Sequence, residues 1–199
     1  KAFKDREIRE SFLAPLLKIW KLYSPLRFLA PLVWRSMDLS EYDLVITSAS
    51  WYITRGFKVG KNTKVICYCH TPPRYLYGYE TSVNLQKYWP VKVYAWVVNH
   101  FLRLYDAWSV GMVDKWLVNS VNVQRRVKKF YRKDSAVVYP PVEVERFIEE
   151  SKRVKKKGFF LIVSRLVGSK GLEEAAKAAK KEGFRLKISG SKAGLSGIT

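Results

Sequence analysis

Four short apolar runs recur along the chain: Tyr42-Asp-Leu-Val-Ile-Thr-Ser48, Lys64-Val-Ile-Cys-Tyr-Cys69, Trp116-Leu-Val118 and Ala136-Val-Val-Tyr139. Each is bounded by polar or turn residues, and runs of this kind predict buried parallel strands. Helical patterns lie between them. A long one runs from about Asn84 through Asp106, and Val121–Tyr131 follows Asn119-Ser120, whose side chains suit a helix N-cap. Ahead of the strands, Glu7–Tyr23 and Ser24–Trp34 read as short apolar helices interrupted by Pro15, Pro25 and Pro31. Strand alternating with helix predicts an α/β fold, a parallel sheet with helices on both faces.

The pattern then breaks and restarts. Ser151-Lys-Arg-Val-Lys-Lys-Lys157 has no apolar period and suits an exposed basic linker. Gly158–Val163 reads as a strand, Gly171–Glu182 as an Ala-rich helix closed by Gly183, and Phe184–Ser189 as another strand. The expected organisation is a first domain over residues 1–150, a linker over 151–157 and the opening βαβ of a second domain over 158–199. At roughly 150 residues per domain, 199 residues suggest a chain truncated within that second domain.

Composition is ordinary for a globular chain, with 48% hydrophobic and 27% charged residues. Charge is not. Lys and Arg number 37 against 17 Asp and Glu, a net +20. Such a balance calls for an anionic partner: nucleic acid, an anionic membrane surface or a phosphorylated substrate. Arg125, Arg126, Lys128, Lys129, Arg132 and Lys133 crowd one helix and its exit. No RNA-binding, KH-type or zinc-finger signature accompanies them, which argues against nucleic acid. Near the N-terminus, Lys18, Lys21, Arg27 and Arg35 are interleaved with Trp20, Tyr23, Phe28 and Trp34. That mixture suits either a membrane interface or a helical hairpin packed on its own domain.

Cys67 and Cys69 share a strand face about 6.5–7 Å apart, the outer limit for a disulfide. With no disulfide framework, no signal peptide and no apolar run long enough to span a bilayer, a cytoplasmic chain is expected. A zinc site from Cys67, Cys69 and His70 lacks a fourth ligand, since His100 lies in a helical pattern as a packed or surface residue. No metal is expected.

Two places carry candidate chemistry. His70-Thr-Pro-Pro-Arg-Tyr75 directly follows a predicted central strand, where open α/β sheets bind ligands. An imidazole there can hydrogen-bond a hydroxyl or hold a developing charge, although a lone histidine at a strand end also serves as a structural residue. Ser164-Arg-Leu-Val-Gly-Ser-Lys-Gly171 joins a strand to a helix start and carries two cations, Arg165 and Lys170. Fixed positive charge beside free helical N–H groups suits a diphosphate. The alternative is a solvated loop in a Lys-rich chain. Neither a Walker loop nor a G-x-G-x-x-G fingerprint is present.

Taken in order, Tyr42–Ser48, Cys67–Tyr75, Val118-Asn-Ser120, Val138-Tyr-Pro-Pro-Val142 with Phe147, and Val163–Gly171 resemble family 4 glycosyltransferases, in particular the mannosyltransferase-like branch. The resemblance implies a GT-B architecture of two Rossmann-like domains, the first binding the acceptor and the second the nucleotide sugar. It implies transfer from a nucleotide diphosphate sugar with retention of configuration, with no cofactor or metal. By position, His70 matches the histidine facing the transferred sugar, and Arg165 and Lys170 match the pair gripping the donor diphosphate. Thr71, Arg74 and Ser164 fall with them as substrate-binding candidates. Because His-Thr-Pro-Pro-Arg looks like that branch, the resemblance implies GDP-mannose as donor. The expected acceptor is a glycan or lipid-linked sugar at the inner membrane face, with the basic and aromatic N-terminal region docked on anionic lipid. Three departures stand out. The stretch is expected to begin after the family's N-terminal glycine-rich loop and to end before its C-terminal glutamate pair, and Ser189-Gly-Ser-Lys-Ala-Gly194 lacks the usual Gly-x-Gly-Pro form. Glu173 and Glu174 are not expected to replace the pair. This stretch by itself is therefore expected to be inactive. Two alternatives remain: a non-catalytic polyanion or nucleic-acid binder, and a degenerate glycosyltransferase-like scaffold.

Overall fold

The structure, a computed structural model, describes residues 6–15, 25–79, 88–155, 157–167 and 170–191. The chain divides into two units, Lys1–Gly78 with Val93–Tyr139, and Tyr79–Lys92 with Pro140–Thr199.

Four strands build the first unit: β1 (Leu44–Ala49), β2 (Lys64–Cys69), β3 (Lys115–Val118) and β4 (Ala136–Val137). All pair parallel in the order β1-β2-β3-β4, with Val45 beside Val65, Cys67 beside Trp116 and Val118 beside Val137. Parallel neighbours need a crossover, and helices supply two of them. These are α2 (Trp89–Val110), which enters the unit at Val93, and α3 (Val121–Tyr131). A shorter helix, α1 (Ala30–Arg35), follows a 3-10 segment at Pro25–Leu29. The expected α/β, Rossmann-like sheet flanked by helices is therefore present.

Side-chain alternation builds the core. Thr47, Ala49, Val65, Cys67, Cys69, Trp116 and Val118 are buried, with Val123, Val127 and Tyr131 of α3 and Val110 of α2 among their neighbours. Positions 123, 127 and 131 recur every four residues, one stripe of a helix. Ser120 caps that helix as expected, its hydroxyl accepting the Val123 N–H at 3.3 Å. Arg132, at φ 54, ends it in the left-handed region.

β1 departs from expectation. It is an edge strand, and Ile46 is 68% exposed, so only alternate residues are buried. α2 runs four residues past the expected Asp106, to Val110, and Asn84–Lys87 lie outside the described residues. β4 is shorter than expected, although the Val138 N–H still reaches Val118 O at 2.8 Å. Pro140 and Pro141 have no N–H to extend the ladder. Trp34 packs edge-on against Phe57, so it belongs to the core rather than to an outer surface. Lys18, Trp20, Lys21 and Tyr23 lie outside the described residues.

In the second unit β5 (Phe160–Val163) pairs parallel with β6 (Leu186–Ser189), and α5 (Leu172–Glu182) connects them. Gly171 and Gly183, at φ 64 and 69, bracket that helix. A helix missing from the sequence-based expectation, α4 (Val144–Arg153), ends inside the stretch expected as a linker. Arg146 pairs with Glu150 one turn on, at 3.1 Å. The described residues of 151–157 are all exposed.

Candidate active site

His70 stands one residue beyond β2, and its N–H donates to Ala49 O at 2.7 Å, prolonging the β1–β2 ladder. The sheet thus fixes its backbone. Two neighbours hold the ring: Nε2 lies 3.1 Å from Ser48 Oγ, and Tyr68 meets it edge-on at 4.9 Å between centroids. Tyr68 is itself tied by its hydroxyl to Val138 O at 2.9 Å. His70 stays half-buried.

The loop after His70 is fastened along its length. Pro72 and Pro73 are buried. Thr71 Oγ1 receives Arg126 Nη1 from α3 at 3.3 Å and donates to Pro72 O at 3.2 Å. Arg74–Leu76 form a single 3-10 turn. Helix α2 grips the far end of this loop: Asn99 Nδ2 donates to Tyr75 O at 3.1 Å, and the Tyr77 hydroxyl donates to Asp106 Oδ2 at 2.6 Å. Arg74 is half-buried, and its guanidinium makes no hydrogen bond among the described residues.

Behind this loop lies a charged pair absent from the expectations. Arg55 and Asp106 are about as buried as any residues in the unit, at 1% and 0% exposure, and Arg55 Nη2 bonds Asp106 Oδ1. Arg55 Nε also donates to Ser109 Oγ at 3.3 Å, and its guanidinium lies over the rings of Trp116 and Tyr131 at 5.1 and 5.2 Å. Burial disfavours the Arg55 charge, but facing Tyr131 and Asp106 more than offset it and raise its pKa. Burial, with the nearby Asp106 charge adding to it, also raises the Tyr77 hydroxyl pKa. A sequence signal existed. Asp106 falls four residues after Leu102 and three before Ser109, on the inner stripe of α2, where a lone carboxylate requires a buried partner.

The second unit carries the other three candidates. Ser164 follows β5, and its N–H donates to Ser189 O at 3.0 Å. Arg165 and Lys170 are exposed on one loop ahead of α5, with Gly168 and Ser169 outside the described residues. That loop approaches the end of β6 so closely that a Cβ on Gly190 would fall 1.7 Å from Ser164 O. Glu173 and Glu174 are exposed in the first turn of α5, where they complement the helix dipole. The candidates therefore form two groups, His70, Thr71 and Arg74 in one unit and Ser164, Arg165 and Lys170 in the other.

A groove of about 480 Å³ in the first unit is lined by Arg35, Asp38, Phe57, Lys58 and Trp108. These residues belong to segments that precede β1 and β2 or end α2, so the groove lies away from His70. Among the described residues, no three His, Cys, Asp or Glu side chains are grouped to hold a metal ion. His100 is exposed on α2, a surface histidine.

The family model described as Glycosyltransferase Family 4 matches residues 2–146. No curated protein and no solved structure matches the chain.

Proposed function

The chain belongs to glycosyltransferase family 4, and on that premise we propose that it moves a sugar from a nucleotide diphosphate donor to a glycan or lipid-linked acceptor, with retention of configuration. The observation that carries this is the placement of His70 at the carboxyl end of β2, held by Ser48 and Tyr68 and only half-buried. That is where an α/β sheet presents a ligand-binding group.

In the reaction, the acceptor hydroxyl oxygen bonds the anomeric carbon and the bond from that carbon to the diphosphate breaks. The bonding electrons leave with the phosphate oxygen, which takes up the proton that the hydroxyl loses. Charge grows on the departing diphosphate, so fixed cations there lower the barrier. Arg165 and Lys170 are the side chains suited to that task. Both are cationic, and they flank the loop that opens α5. His70 hydrogen-bonds a hydroxyl of the transferred sugar, with Ser48 orienting the ring. Thr71, Arg74 and Ser164 complete the substrate contacts. Mannose carried on GDP is the donor to test first. The enzyme needs no metal, and the acceptor is reached at the inner face of the cell membrane.

The test supplies the intact gene product with radiolabelled GDP-mannose, UDP-glucose or UDP-N-acetylglucosamine and membranes from the same source. Label passing into glycan or lipid from one donor supports transfer and names the sugar. No transfer from any donor, combined with tight, salt-sensitive binding to nucleic acid, supports the polyanion-binding alternative that the +20 charge suggests.

A further inference from the structure

Helix α2 is apolar on its outer face as well as its inner one. Val93, Trp96, Val97, Phe101, Leu104 and Trp108 recur at helical spacing, and all are exposed, Trp96 by 75% and Phe101 by 65%. No charged residue interrupts this stripe. Between Val93 and Trp108 only His100 and Ala107 share it, while Arg103 sits at its margin. A helix on the surface of a water-soluble protein normally turns polar residues outward. A contiguous apolar patch of this kind marks a docking surface.

Charge and aromatic placement identify what docks. Pro25–Leu29 and α1 run alongside α2: Arg27 lies over the Tyr94 ring and Arg35 over the Trp108 ring, at 5.2 and 5.7 Å. Arg35 and Arg103 are exposed beside this face, Arg27 is turned inward onto Asn99, and the one carboxylate of these segments, Asp106, is buried. Phe28 and Leu32 are exposed on the same neighbouring segment. Two copies meeting through this face would bring cations against cations. An anionic bilayer meets it with opposite charge, and tryptophans favour the headgroup level.

We propose that the outer face of α2 docks in the plane of an anionic lipid bilayer, its tryptophans at headgroup depth and the flanking Arg35 and Arg103 on lipid phosphates. The helix lies flat rather than crossing. Among the described residues none is long and apolar enough to span a membrane, and the inner face of α2 is committed to the protein through Ala95, Leu102 and Asp106. From Val93 to Trp108 it offers a contact about 24 Å long. The same helix holds the loop after His70 through Asn99 and Asp106. Docking therefore sets the candidate site beside the bilayer, where a lipid-linked acceptor is met. Only that last step rests on the transferase function.

Vesicle sedimentation tests the proposal without sugar nucleotide or acceptor, so its result and that of the transfer assay are independent. Phosphatidylcholine vesicles are compared with vesicles about one-third phosphatidylglycerol. The intact protein is expected to pellet with the anionic vesicles, and brominated lipid is expected to quench its tryptophan fluorescence. Trp96→Glu/Phe101→Glu and the uncharged Trp96→Ser/Phe101→Ser should each weaken binding about tenfold or more, with an unchanged circular dichroism spectrum. Absence of quenching in the unsubstituted protein, or equal vesicle binding by both variants, would overturn the proposal. So would a dimer in analytical ultracentrifugation that both variants dissolve while vesicle binding is absent, since that assigns the face to a second copy.

Discussion

The Ser48 hydroxyl and His70 Nε2 lie 3.1 Å apart, linking the carboxyl ends of β1 and β2. The two nitrogens of an imidazole differ in role, and the partner of one sets what the other can do. Ser48 is exposed, so removing its hydroxyl leaves the core intact. Ser48→Ala should lower kcat about tenfold while moving the donor KM little. Steady-state kinetics checks this, and Ser48→Thr, which keeps the hydroxyl, should restore most of the activity.

The Arg55–Asp106 pair is buried and shared with Ser109, Tyr77 and Tyr131. Removing one partner strands the other charge without water. Asp106→Asn should cost about 3–5 kcal/mol. The double variant Arg55→Met/Asp106→Leu should cost clearly less than the sum of its single substitutions. Urea unfolding of all variants measures both. Strictly additive losses would show that the two side chains do not act as a pair.

Burial pushes the Cys67 thiol up to about 11 and the Cys69 thiol up to about 12. An unfolded thiol ionises near about 8.5. Above that pH the unfolded chain loses these protons first, so it binds fewer than the folded chain. Stability is then complete below about 8.5 and falls as pH rises toward 11, by up to about 1.4 kcal/mol per pH unit for each thiol. Denaturant titrations from pH 7 to pH 10 check the sign. Both cysteines are free and buried, so they should also resist alkylation at pH 8 until the protein is unfolded.

The strands of the first unit were legible because their apolar runs are short, β-branched and bounded by turn residues, and β2 falls at the predicted Lys64–Cys69. The α3 cap was legible because Ser120 precedes a clean four-residue stripe. The features that escaped needed three dimensions. Nothing in Leu44 or Ile46 marks β1 as an edge, because edge position depends on strand order. α4 does carry an apolar stripe, Val144, Phe147 and Ile148 at i, i+3 and i+4, but none of these residues is buried and its last turn runs into the basic stretch that reads as a linker. Ser48 and Arg126 become neighbours of His70 and Thr71 only after β1 and α3 are in place. The +20 charge pointed to an anionic partner, but the apolar outer face of α2 is visible only once its inner face is known.

Arg165 and Lys170 share one exposed loop. Under the proposed transfer each contributes a cation to the donor diphosphate, so Arg165→Ala and Lys170→Ala should each weaken nucleoside diphosphate binding about tenfold or more. Isothermal titration calorimetry with GDP and UDP reads the loss. Acceptor affinity should hardly change. Unaltered nucleotide affinity in both variants would remove the loop from the donor site.

Gly190→Ala offers a separate check on the same loop. The added methyl carbon meets the Ser164 carbonyl oxygen, a backbone atom that cannot swing aside. Destabilisation of about 1–3 kcal/mol is expected, together with weaker nucleotide binding. Thermal unfolding with and without GDP separates the two effects.

Sugar transfer by the intact gene product, compared with its His70→Ala variant at saturating donor, tests the central claim most directly. Transfer of label from one nucleotide sugar is predicted, with a loss of about a hundredfold or more in the variant and an unchanged circular dichroism spectrum. Equal turnover by the two proteins would contradict the place given to His70, and no transfer from any donor would contradict the proposed reaction itself.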